Sequence, residues 1–113
     1  MKNIKSIAVV GGLLASTFSL AGSMTNTTIT RLEMAKSQEN WILVDASGTK
    51  SGDCSATGGW EFSLKTDTDY GKQMLSLLMS AYVAGKQVTL IGYSSPVCGY
   101  SDIEELDKIR LVQ

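Results

Sequence analysis

Histidine is absent from this 113-residue chain, which also holds only one proline and two cysteines. Without histidine there is no His-based catalytic triad and no His metal site. Two cysteines cannot make a four-thiolate zinc site, and no C-x-x-C occurs, so no metal site is expected. Ten basic residues stand against eleven acidic ones. A net charge so close to zero argues against a nucleic-acid binder that works by neutralising phosphates. Apolar residues make up 43% of the chain, normal for a globular protein and too many for a disordered one. The length suits one domain.

What is present begins with an address. Residues 1–23 read MKNIKSIAVVGGLLASTFSLAGS. Lys2 and Lys5 give a positive start, Ile7 to Leu20 is mostly apolar and uncharged, and Ser19-Leu20-Ala21 and Ala21-Gly22-Ser23 offer small residues for cleavage. The segment reads as a secretory signal peptide cut after Ala21 or Ser23. The competing reading, a membrane anchor, meets an apolar run shorter than the roughly 20 residues a bilayer core needs. No cysteine near the cut suggests a lipid anchor, and no membrane insertion is expected. The mature domain is taken as residues 24–113, with eight basic and eleven acidic residues. Export, to the periplasm or the exterior, puts Cys54 and Cys98 in an oxidising compartment where a disulfide is the expected outcome, free buried thiols being the alternative. A small domain gains most from such a staple.

Hydrophobic patterning gives the elements. Thr27 to Met34 alternates and is rich in β-branched residues, which predicts a strand. Trp41 to Asp45 is a short apolar run, read as a more buried strand. Ala46 to Gly59 is rich in Gly, Ser, Thr and Asp, which predicts a long surface loop carrying Cys54. Trp60 to Lys65 alternates, with Trp60, Phe62 and Leu64 on one face. Thr66 to Asp69 offers helix N-caps, and Tyr70, Met74, Leu77, Leu78, Ala81 and Tyr82 recur at helical spacing, widened by Leu75 and Met79, before Gly85 stops the run. The helix is predicted over about residues 69–84, with the two methionines and Leu77 in the core. Gln87 to Tyr93 is a fourth strand with Val88, Leu90 and Gly92 facing one way. Ser94 to Ser101 is a loop with Cys98. The stretch to Gln113 fits a closing strand, with a short helical turn between Ile103 and Leu106 as an option.

The predicted order is β-β-β-α-β-β. One helix is too few for a parallel α/β fold. Five short strands with a helix between the third and fourth is the order of an OB-fold, a five-stranded Greek-key barrel, with the helix plugging one end. A generic α+β sandwich is the alternative.

Cys54, Trp60-Glu61-Phe62, Gly71 to Leu78, Ala81, Gly85-Lys86, Val88-Thr89-Leu90, Cys98, Ile109-Arg110-Leu111 and the early Ile29-Thr30-Arg31-Leu32 together carry a resemblance. In their order the chain resembles the small secreted B subunits of pentameric A–B toxins related to subtilase cytotoxin and pertussis-like toxins. The resemblance implies an OB-fold, a ring of five copies, binding of cell-surface host glycans that are often sialylated, and a separate catalytic A subunit as partner. It does not transfer the family's sugar-contacting positions residue by residue.

Sugar binding needs an aromatic face for the ring and fixed hydrogen-bonding groups for the hydroxyls, with a cation, hydroxyls or backbone N–H for a sialic acid carboxylate. The loops flanking the expected disulfide supply a candidate pocket of Asp53, Ser55, Trp60, Tyr93 and Tyr100, although Trp60 also suits strand packing and the loop residues suit solvated turns. Glu104, Glu105 and Asp107 could hold paired carboxylates, but the run reads more simply as a solvated acidic face. Lys72 or Lys86 would have to replace histidine as a base for serine. No catalysis and no cofactor is expected. The alternative to a ring-forming lectin is a monomeric exported OB-fold module that binds a protein or small molecule in the envelope.

Overall fold

A computed structural model describes residues 21–50, 52, 54 and 57–112. Most of the expected signal peptide, and the candidate residues Asp53 and Ser55, lie outside the described residues. The chain forms a mainly-β domain of five antiparallel strands and one α-helix. In order these are β1 (Ser23–Glu33), β2 (Trp41–Ala46), β3 (Phe62–Lys65), α1 (Asp69–Ala84), β4 (Gln87–Gly92) and β5 (Leu106–Leu111). The sheet order is β3-β2-β1-β4-β5.

The central strand β1 is long because it serves two partners. Its first half pairs with β4, from Ser23 opposite Ile91 to Thr28 opposite Gln87. Its second half pairs with β2, from Ile29 opposite Ala46 to Glu33 opposite Leu43. Register shifts between Met24 and Thr27 and between Ile29 and Arg31 bend it from one to the other. A bulged strand carries an extra residue, so strict alternation breaks. Ile29 is buried and Leu32 partly so, while Arg31 is exposed, a step of three where an unbroken strand would give two. The strand also begins four residues before the Thr27 suggested by patterning, and one residue before the expected domain boundary at 24.

At the other side of the sheet the end strands β3 and β5 touch. Ser63 forms an isolated parallel bridge with Glu105. The Ser63 N–H donates to the Glu104 carbonyl at 2.7 Å and its hydroxyl donates to the Ile103 carbonyl at 3.0 Å. These bonds satisfy a serine that is 0% exposed. β3 is therefore buried on both faces rather than half-buried. Trp60 stands before it, outside the ladder. Ile103 to Glu105 is extended, and the short helical turn falls just upstream, at Tyr100–Asp102.

The helix occupies the predicted span. The Thr68 hydroxyl oxygen accepts the Gly71 N–H at 2.9 Å, and Gly85 closes the C-terminus in the left-handed region at φ 66°. Its buried stripe is narrower than its sequence suggests. Gly71, Met74, Leu78 and Ala81 are buried. Leu77, Met79, Tyr70 and Tyr82 are exposed, which corrects the expectation that Met79 and Leu77 lie in the core. A step of one residue turns a side chain about 100°, so both neighbours of Leu78 swing off a seam only one residue wide. That seam meets Val44, Phe62, Leu64, Val88, Leu90 and Leu106 in one apolar core.

Cys54 and Cys98 form a disulfide with Cα atoms 5.5 Å apart, joining the loop before β3 to the loop after β4. Constraining 44 residues of separation stabilises by about 4 kcal/mol on chain-entropy grounds. Among the described residues no helix is long and apolar enough to cross a membrane.

Candidate binding cleft

The connection from β1 to β2 is a tight polar path. A 3-10 turn at Lys36–Gln38 leads to Asn40, which adopts φ 68°, a left-handed conformation that asparagine tolerates better than most residues. The Asn40 carbonyl accepts the Thr66 N–H at 2.8 Å, so the start of the β3–α1 connection is tied to this turn. Together these segments enclose a cleft of about 600 Å³ that includes Lys36, Gln38, Glu39, Asn40, Trp41 and Thr66.

Trp41 is the aromatic wall. It opens β2 and is half-buried. Its ring is fixed from behind by the loop that carries Cys98. A Cβ on Gly99 would stand 2.8 Å from the Trp41 ring, so only glycine lets the backbone approach so closely. The Tyr100 ring packs against Trp41 at 6.1 Å between centroids, tilted by 45°. The disulfide at Cys98 thus anchors the two residues that brace this wall.

Gln38 supplies the most pointed polar feature. Its side-chain amide N–H donates to Glu33 Oε2 at 2.6 Å. Its carbonyl oxygen, Oε1, is buried and meets no hydrogen-bond donor among the described residues. A buried acceptor without a donor costs about 1–3 kcal/mol, so Gln38 is held at a cost to stability.

The residues expected to form one pocket are distributed over several places. Tyr100 packs against Trp41 but does not line the cleft. Trp60 lies toward the opposite end of the β2–β3 hairpin, since Trp41 pairs with Lys65 while Val44 pairs with Phe62. One face of the Trp60 ring is covered by the Arg31 guanidinium at 4.1 Å, and Arg31 in turn bonds Asp45 at 3.0 Å. The Tyr93 hydroxyl lies near the Glu105 carboxylate. Burial first, then Glu105 and Asp107, pushes the Tyr93 hydroxyl above its ordinary range. Burial likewise raises Glu105, against the pull of Lys65 and the Tyr93 hydrogen bond. The structure therefore joins Tyr100 to Trp41 and leaves Trp60 apart from Tyr100.

Trp41, Gln38 and Lys36 are missed when the pocket is sought around the cysteine loops. The available signal is an aromatic residue at the start of a strand, directly after a polar turn. Without the β3–α1 connection folded against it, that signal looks like any buried strand residue.

The acidic stretch is also not the solvated face it resembles. Glu104 is 1% exposed. Its Oε1 lies 3.0 Å from Lys50 Nζ, and Oε2 accepts the Gly22 N–H at 2.8 Å. Nearby Glu61 is raised by burial, with Lys50 pulling it down and Asp45 pushing it up. Glu104 lies inward because the Cys98–Glu104 bridge and the Ser63 bonds turn its segment onto the sheet, whereas Glu105, the next residue, points the other way. No family's sequence profile matches the chain, and no curated protein matches it either.

Proposed function

We propose that this is an exported sugar-binding subunit of the toxin B-subunit kind, built on an OB-fold, that binds host glycans as a ring of identical copies. The observation that carries the reading is the cleft: a braced tryptophan wall in a recess whose lining is otherwise largely polar. An aromatic face receives the apolar side of a sugar ring, and the polar lining from Lys36 to Asn40 meets its hydroxyls. Lys36, also at the cleft, provides the cation that a sialic acid carboxylate requires. A volume of about 600 Å³ suits one or two sugar units.

The strand order and the contact of Ser63 with Glu105 between the end strands support a sheet rolled into an OB-type barrel, with α1 at one end. Exposed Leu77, Met79, Tyr82 and Val83 on α1 supply apolar surface for contacts between copies. A glycan array with the oxidised mature protein tests the ligand. Binding of sialylated structures that disappears in Trp41→Ala supports the reading, and an array without any signal overturns it. Light scattering tests the ring. Five times the monomer mass supports it, while a monomer favours the envelope-binding module.

A further inference from the structure

Outside the cleft, the start of β1 carries a buried polar cluster. Gly22 is buried, and its two backbone groups are both engaged. Its N–H donates to Glu104 Oε2 at 2.8 Å and its carbonyl accepts the Gly92 N–H at 2.9 Å. Ser23 then pairs with Ile91. The surroundings are shaped for close approach. A Cβ on Gly92 would fall 1.9 Å from Glu104 Oε2, and one on Gly52 would fall 3.2 Å from the Gly22 Cα and 2.8 Å from Glu104 Oε1. Gly22 is therefore held by the fold as firmly as any strand residue, although it sits inside a segment that reads as a cleavage region.

The two oxygens of the Glu104 carboxylate have unlike partners. Glu104 is sealed from water with Lys50, the two side chains 0% and 4% exposed. Lys50 also lies over the Phe62 ring at 5.5 Å. Among the described residues Lys50 is the cation bonded to Glu104, through Oε1, and the partner of Oε2 is a neutral amide.

We propose that the export peptidase cuts between Ala21 and Gly22, and that the α-ammonium so released is the second cation of the Glu104 carboxylate. Hydrolysis by one water breaks the Ala21 C–N bond. The Ala21 carbonyl carbon takes the hydroxyl and leaves as a carboxylate on the detached peptide. The Gly22 nitrogen takes protons and becomes an ammonium at the atom that already donates to Oε2. Each oxygen of the Glu104 carboxylate then faces an ammonium group, Lys50 at Oε1 and Gly22 at Oε2. A cut after Ser23, the other site compatible with the sequence, would delete the Gly22 bonds to Glu104 and Gly92 and the Ser23–Ile91 pair, and would leave Glu104 with one cation. Maturation on this reading completes the folded state, because the ion pair exists only after the cut. It is independent of any sugar bound in the cleft.

The test starts from the full precursor expressed in an export-competent bacterial host. The intact mass of the exported protein should correspond to a chain beginning at Gly22. A chain beginning at Met24, or an uncut one, overturns the proposal. The mature chain is then compared with its Nα-acetyl form, which keeps an amide N–H at Gly22 and removes only the charge. Acetylation should lower the melting temperature by about 4–8 °C, the shift expected in a domain of this size for losing one moderate ion pair. In Glu104→Gln the difference between free and acetylated chains should vanish. Equal melting of the two wild-type forms overturns the ion pair. If Glu104→Gln does not fold, the wild-type comparison alone decides.

Discussion

The Glu104 cluster and the Trp41 cleft treat buried polar groups in opposite ways. Around Glu104 both carboxylate oxygens are paired, with Lys50 and with Gly22. Around Trp41 the Gln38 carbonyl oxygen is buried with no donor among the described residues, and charged Lys36 and Glu39 stay exposed beside it. A fully paired buried group fixes a structure, while an unpaired one costs stability. One disulfide serves both places, because Cys98 bridges to Glu104 on one side and precedes the Gly99-Tyr100 brace of Trp41 on the other. The contrast separates a region whose buried polar groups are met from one that leaves a buried acceptor unmet.

Breaking the paired region should cost most. Glu104→Ala leaves Lys50 buried without its acceptor and should destabilise by about 3–5 kcal/mol, measured by denaturant unfolding. A negligible loss would remove the distinction between the two regions. Cys54→Ala should cost about 2–4 kcal/mol in oxidised protein and nothing relative to wild type under strong reductant. It should also weaken ligand binding at Trp41, since the brace is then tethered less tightly.

Substitutions in the open region should show the reverse balance. Trp41→Ala should cost about 1–2 kcal/mol of stability, from half-buried aromatic area, while abolishing glycan binding on the array. Gln38→Ala removes the donor-less oxygen along with the bond to Glu33, so the two changes offset and stability should move by less than about 1 kcal/mol. Glycan affinity should fall all the same. Equal losses of stability and of binding would show that the cleft is merely structural.

The smallest effect concerns pH. Glu61 and Glu105 both bind their protons more tightly in the folded chain than the ordinary value of 4.5 implies. Their contribution to stability is therefore full below that value and is lost as pH rises through the raised folded value. The double variant Glu61→Gln, Glu105→Gln should show a shallower fall in melting temperature across this window than wild type. An unchanged profile would count against burial as the cause.

Much of the fold was legible along the chain because it is written in local periodicity. The helix from Asp69 to Ala84 follows from its cap, its apolar spacing and Gly85. The strand sequence and the cysteine pair follow from alternation and from the compartment that the expected leader implies. The failures share a cause. Leu77 and Met79 were misplaced because spacing shows which residues share a broad helix side, whereas the width of the seam depends on what packs against it. Ile29, Arg31 and Leu32 break alternation because a bulge is set by β1 changing partners. Trp60 and Tyr100 were grouped by proximity to the cysteines, yet β2 and β3 place them toward different ends of a hairpin.

By itself the sequence determined the number and order of elements, the span of the helix and the availability of one disulfide, since each rests on neighbours within a few turns or on a pair with no competitor. Only the tertiary structure decided that Glu104 is buried with Lys50 and Gly22, that Gly99 and Tyr100 hold Trp41, and that Gln38 Oε1 has no donor among the described residues. Those outcomes depend on contacts between residues far apart in the chain, where side-chain identity says what a group needs and only the fold says whether it is met.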